Sequence, residues 1–263
     1  MRLQRTDPRI LLTGLFCTLL SLAMDGPLLG ADFRIETKIF VGDQPEPVSR
    51  NLTLFHQGVV YDFLADPEQI AVFRHSVTDD GGRFILLDPS RKLRSEISSE
   101  EIVGFLDGLK TWAATQDDPL LKFAAHPDFK EAFDPVRGDL RLESEVMRYS
   151  LTTEEPREVT GVELYREFSD WYGRLGAVTH VGSLPPFPRL AVNASLARHH
   201  RIPRTVHLTI PARRPYRTNE VVMRAEHKIA WRLARHDQRR IERVGEQLVQ
   251  FKLIPYEEFQ AER

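Results

Sequence analysis

Cysteine is almost missing from this chain. Cys17 is the only one in 263 residues, so neither a disulfide framework nor a thiolate metal site can hold the fold together. Lysine is scarce as well, with seven against 29 arginines, a bias that fits a GC-rich bacterial genome. Nine histidines are present, but none falls in H-E-x-x-H or at the short spacings of known metal sites. G-x-S-x-G is absent, and Ser183 lacks the strand-turn-helix context that exposes a nucleophile. Phosphate-binding loops, internal repeats and low-complexity tracts are missing too. The readily recognised classes of hydrolase and metalloenzyme are therefore not indicated, and no cofactor is expected.

Long apolar runs are confined to residues 10–24, and that confinement points to a compartment. Arg2, Arg5 and Arg9 precede the run, and small residues follow it around Leu29-Gly30-Ala31. This is the layout of a secretory signal peptide, with Ser21-Leu22-Ala23 as a second cleavage site. Asp25-Gly26-Pro27 ends the run short of the roughly 20 residues that cross a bilayer. Residues 1–31 are expected to be removed, Cys17 with them. The remainder is expected to be exported, to periplasm or medium, with no transmembrane span.

The 232 residues from Asp32 onward suit one domain with a substantial core. They carry 33 basic against 36 acidic residues, a balance with no overall pull toward nucleic acid or anionic lipid. Charge is nevertheless uneven: residues 198–243 hold thirteen Lys or Arg and four acids. That segment reads as a solvated face or as a docking patch for an anionic partner. Aromatic residues are not interleaved with its arginines, so nucleic acid is not an expected partner.

Residues 52–97 organise the rest. Short runs rich in Val, Ile, Phe and Tyr are broken at Asp66-Pro67, Asp79-Asp80-Gly81-Gly82 and Asp88-Pro89-Ser90, which is the signature of a β-meander. Before it, residues 33–41 alternate strictly, as a half-buried antiparallel strand does. After it, Ser98 to Glu101 offer a capping box, and Ile102, Phe105, Leu106, Leu109 and Trp112 recur at helical spacing. A shorter helix starts at Asp118-Pro119, with Phe129 and Phe133 extending its apolar surface. Thr160 to Glu163 suggest a second capping box, opening a helix over residues 162–177 that carries Leu164, Phe168, Trp171, Tyr172 and Leu175. Strands are expected at 140–142, 146–151, 190–192, 205–210 and 221–229, and a terminal helix at 237–251. Gly182 to Pro188 read as an extended strap. The order of elements predicts a single α+β domain over 32–263, with a large curved, half-barrel-like antiparallel sheet and about four helices packed on one face. Arg137-Gly138-Asp139 matches an adhesion triplet, but Gly-Asp before a strand is ordinary turn chemistry.

The run GVVYDFLADPEQIAVF…GRFILLDPSRKLRSEI, leading directly into an amphipathic helix, resembles the bacterial periplasmic lipoprotein-carrier (LolA-like) family over residues 33–109. The resemblance implies a half-open antiparallel barrel whose concave face, partly closed by helices, holds acyl chains. This chain is longer, inserts the helix at 164–175 and adds the basic C-terminal segment. No binding residue is carried over from the family.

The expected function is accordingly that of an exported, noncatalytic binding protein that holds a lipid, a lipoprotein acyl chain or another apolar ligand against its sheet. Phe63, Val72, Phe84, Leu86, Trp112, Phe168 and Trp171 are the expected pocket residues, and no catalytic or metal-ligating residue is assigned. Two alternatives stand beside it. One is a secreted hydrolase or metal enzyme using the acidic loop residues Asp62, Asp66 and Glu68 or a cluster of His199, His207 and His227. The other is a structural envelope protein that binds partners through its basic segment.

Overall fold

The computed structural model describes residues 32–75, 82–180, 182–213 and 215–261. The expected leader at 1–31, and the Asp79 to Gly81 part of one expected turn, lie outside the described residues. Among those described, twelve strands form one open sheet and six helices pack on it.

The first half follows the meander. It comprises β1 (Phe33–Val41), β2 (Ser49–His56), β3 (Val59–Leu64), β4 (Gln69–His75), β5 (Gly82–Asp88) and β6 (Leu93–Ser98). Helices α1 (Ser99–Thr115) and α2 (Pro119–Ala125) follow, then β7 (Lys130–Asp134), β8 (Asp139–Glu143) and β9 (Arg148–Glu154). The last third holds α3 (Val159–Thr179), α4 (Phe187–Arg198), β10 (Ile202–Ile210), β11 (Val221–Ala230), α5 (Arg235–Gln250), β12 (Lys252–Leu253) and α6 (Tyr256–Ala261).

Across the sheet the strands run β12-β6-β5-β4-β3-β2-β1-β11-β10-β9-β8-β7. All neighbours pair antiparallel except β12, which lies parallel to β6. The first and eleventh strands meet at the centre, where Arg34 to Val41 pair with Ala230 to Met223. That one ladder joins the meander to the strands of the second half.

Alternation along the strands divides the core between two faces. On the inner face Phe33, Ile35, Phe55, Ala71, Phe73, Phe84, Leu86 and Ile97 pack beneath α1 and α3, against Ile102, Leu106, Phe168, Trp171 and Leu175. The same face continues over β8 to β10, where Leu140, Leu142, Leu151, Val206 and Ile210 meet Leu120 of α2 and Val192 and Leu196 of α4. On the outer face Ile70, Val72, Ile85 and Leu87 pack against Val244 and Phe251, with Leu248 at the margin. Helices therefore cover both faces, not one, because β4 and β5 are apolar on both sides and need two covers.

Several local expectations are corrected by the same packing. The strand expected at 190–192 lies inside α4, whose Pro188 sits in the first turn, where a missing N–H costs nothing. Its Pro188, Val192 and Leu196 recur at helical spacing and are all buried. Phe133 belongs to β7 and not to an extension of α2. The capping box at Thr160 does not form, since α3 begins at Val159 with no side-chain cap. Ser98 and Glu101 do form theirs, with Glu101 N donating to Ser98 Oγ at 3.2 Å and Ser98 N to Glu101 Oε2 at 2.7 Å. Gly138 takes φ +71 in the β7–β8 turn, and a Cβ there would stand 2.9 Å from the Thr153 carbonyl oxygen. The Arg-Gly-Asp triplet is thus part of a tight hairpin turn.

Candidate functional site

Among the described residues, a void walled by core residues is lined by several polar groups. It lies between the inner face of β1, β2, β3 and β11 and the underside of α3, with a volume of about 240 Å³. Tyr165, Phe168, Ser169, Tyr172 and Gly173 line its roof. These positions recur at three- and four-residue steps, so a single stripe of α3 faces the sheet. Ile35, Ile39 and Phe55 supply apolar floor, and Arg189 enters from α4.

A polar row crosses the floor from strand to strand. His227 on β11 stands opposite Thr37 on β1, Thr37 stands opposite Asn51 on β2, and Thr53 on β2 stands opposite Asp62 on β3. Asp62 is only 3 % exposed. Its Oδ1 accepts from the Thr53 hydroxyl at 2.6 Å and its Oδ2 from the Asn51 amide at 2.9 Å. The same amide lies 3.4 Å from the Tyr172 phenolic oxygen. Burial pushes the Asp62 carboxyl above its ordinary range, and these hydrogen bonds pull part of the way back. Tyr172 is pushed well up by burial and by the neighbouring carboxyl.

At the other end of the row, His227 Nδ1 is 2.9 Å from the Thr37 hydroxyl. Its Nε2 is shut off from solvent and has no hydrogen-bond partner among the described residues. Burial, with the Arg189 guanidinium nearby, lowers the imidazole to about 3, so it is neutral at ordinary pH. Folding has pushed this pKa down from 6.5, so below pH 6.5 the unfolded chain takes up the proton first. Its contribution to stability is complete above pH 6.5 and is lost as pH falls toward 3. By linkage the loss is about 2 kcal/mol at pH 5. Thermal unfolding of the wild type and of His227→Gln between pH 7.5 and 5 is expected to show a shallower acid decline in the variant. Parallel declines would show that the imidazole is solvated.

The expected pocket residues divide over the molecule. Phe168 lines this cavity. Phe84, Leu86 and Trp171 belong to the core around it. Val72 and Phe63 face the opposite side of the sheet, beneath α5. Trp112 is 50 % exposed and lines a wider groove of about 1080 Å³ between α1, the end of α3 and α6, together with Phe105, Leu109 and Tyr256. That groove is the larger void, and its lining includes Glu101 and Glu257 but no buried polar row like that on the cavity floor.

The residues weighed for catalysis separate too. His199 stacks on Phe133 with ring centroids 4.0 Å apart and pairs with Glu131 at 2.7 Å. His207 is exposed and stands opposite Arg224 on the outer face. The strands therefore do not bring His199, His207 and His227 together, and among the described residues no three metal-ligating side chains gather. Asp66 and Glu68 are exposed at the β3–β4 turn, away from the buried Asp62. The basic segment is spread over α4, β10, β11 and α5. Arg198, Arg201, Arg204 and Arg224 pair with acids, whereas Arg235, Arg239, Arg240 and Arg243 lie on α5.

Sequence reasoning gave Thr37, Asn51, Thr53 and Arg189 no place in a ligand site, and placed Tyr172 only in the apolar stripe of the helix at 162–177. A signal existed for part of this set. His227 sits in phase with Val221, Met223, Ala225 and Ile229, and Thr37 in phase with Phe33, Ile35 and Ile39, so each is a polar residue on the apolar side of an alternating strand.

The architecture defines an α+β protein built on one large, open, mainly antiparallel sheet, with a polar-floored cavity under its longest helix. Compared with protein-family models and with curated proteins, the chain matches none. Among the described residues no helix is long and apolar enough to cross a membrane.

Proposed function

We propose that the protein is an exported, noncatalytic binding protein that holds a small, mainly apolar ligand between its curved sheet and α3. The observation that carries this reading is the cavity: apolar walls from Ile35, Phe55 and Phe168 enclose a few fixed polar groups, the composition typical of small-molecule sites. At about 240 Å³ it lies just below the common range of about 300–1,000 Å³ for ligand pockets, which favours a short ligand. The meander's resemblance to the lipoprotein-carrier family and the leader-like residues 1–31 support export and an apolar ligand. Native mass spectrometry of gently purified protein is expected to show a bound small mass, or emptied protein to take up a short-chain fatty acid. Absence of both sinks the reading.

Catalysis is the second reading, because Asp62 and His227 share one cavity. Two features weigh against it. An imidazole lowered to about 3 is a weak proton acceptor at the pH where a general base works best. Both oxygens of Asp62 are already engaged by Thr53 and Asn51. Turnover in a broad hydrolase screen that disappears in Asp62→Asn and His227→Gln would reverse the order.

A further inference from the structure

We infer that the ligand of this cavity is a short-chain carboxylic acid, its carboxylate held between the Arg189 guanidinium and Nε2 of His227. The inference rests on the proposed binding function and names the chemistry of its ligand.

Two unmet groups reach the same space from different elements. Arg189, in the first turns of α4, lines the cavity and forms no hydrogen bond or ion pair with any described residue. The Asp170 carboxyl on α3 is near enough to feel its charge but is not among the residues that line the cavity, so the donors on the cavity side stay open to a ligand anion. The fixed fork of guanidinium donors suits the two oxygens of a carboxylate. His227 supplies the second. With Nδ1 engaged by the Thr37 hydroxyl, a neutral imidazole that accepts there carries its proton on Nε2, the atom left without a partner. Arg189 stands close enough to disfavour a second proton on the ring. In that tautomer the ring acts as a neutral donor beside the cation.

The remaining polar groups do not compete for an anion. The Thr53 hydroxyl and the Asn51 amide are already spent on the two oxygens of Asp62, so neither is offered to a second anion. Ile35, Phe55 and Phe168 are left to cover a hydrocarbon tail. Scaled by the roughly 30 Å³ that one water occupies in the liquid, the volume of about 240 Å³ takes on the order of eight non-hydrogen atoms. Octanoate is slightly larger than that and fills the volume with the end of its chain at the cavity mouth.

The test is calorimetric titration of the purified protein with octanoate, octanol and octylamine, repeated on Arg189→Gln, Arg189→Lys and His227→Gln. Octanoate is expected to bind at least tenfold more tightly than octanol, and octylamine most weakly. Arg189→Gln is expected to abolish the preference for the acid while leaving octanol affinity within twofold. Arg189→Lys keeps the charge without the fork and is expected to fall between them. His227→Gln is expected to weaken octanoate several-fold and octanol little. Equal affinity for all three ligands in the wild type overturns the inference and leaves the apolar cavity standing. Tighter binding of octylamine overturns it as well. No binding of any of the three removes both the inference and the function on which it rests. Should Arg189→Gln fail to fold, the wild-type series and Arg189→Lys decide the matter.

Discussion

Asp237→Ala is expected to destabilise the protein by about 3 kcal/mol, the cost of leaving one partner of a buried ion pair alone. Asp237 has 0 % exposure and serves two purposes. Both of its oxygens accept from Arg34 Nη1, at 3.0 and 3.1 Å, which clamps the start of α5 to the central strand β1. One oxygen also accepts from Ala234 N at 2.8 Å, satisfying an amide at the helix entrance where Ala234 has no side-chain oxygen to offer. Alanine removes both bonds and leaves Arg34 with Glu36 and His236 as its remaining side-chain partners. Urea unfolding midpoints measure the loss. Asp237→Asn, which retains an acceptor for Ala234, is expected to recover part of it. In a double-mutant cycle Arg34→Ala should cost much less in the Asp237→Ala background than alone. Independent, additive losses, or a single-mutant effect below about 1 kcal/mol, would show that the pair behaves as a solvated one.

Phe55→Ala is the second large effect, expected at about 4 kcal/mol from lost transfer energy and the cavity left behind. Phe55 is fully buried, stacks on Phe33 with centroids 4.0 Å apart and meets Phe168 edge-on at 5.8 Å. It joins β2, β1 and α3, so the void cannot close by moving one side chain. The contrast is Trp112→Ala. Trp112 is as large but half exposed, so its truncation should cost a small fraction of that. Equal losses at the two positions would mean that Phe55 is not packed as described. Since Phe55 also lines the cavity proposed to hold a ligand, Phe55→Ala is expected, on that proposal, to admit longer chains at lower overall stability.

Local features were the legible part of this fold. The alternation of Phe33–Val41 and the Ser98–Glu101 cap each determine structure within a few residues, and both elements form, although Phe40, in the opposite phase, is buried while Ile39 and Val41 are only partly so. Three apolar residues at 190–192 are too few to separate a strand from a buried stretch of helix, and α4 resolved the ambiguity through partners far away. Assignment of faces failed for a related reason. In β4 and β5 both phases of the alternation are apolar, so periodicity could not say that Val72 faces α5 while Phe84 faces the inner core. The site was the least legible. Thr37 and His227 are 190 positions apart, and nothing local reports that their strands pair. What could be read was each one's anomaly, a polar side chain in the apolar phase of its own strand.

The central ladder also fixes the order of events when the chain folds. Strands β1 to β6 pair with near neighbours in sequence, so they can assemble with little loop-closure cost. The second edge of β1 has no local partner and waits for β11. Until then it is an unpaired strand edge, the feature most prone to wrong association. Synthesis from the N-terminus lengthens that wait, because β11 lies in the last sixth of the chain. The floor of the cavity is split across this late joint, with Thr37, Asn51, Thr53 and Asp62 on one side and His227 on the other. The complete cavity floor is therefore a late product of folding, and the proposed ligand, bridging the joint, would stabilise the last contact to form.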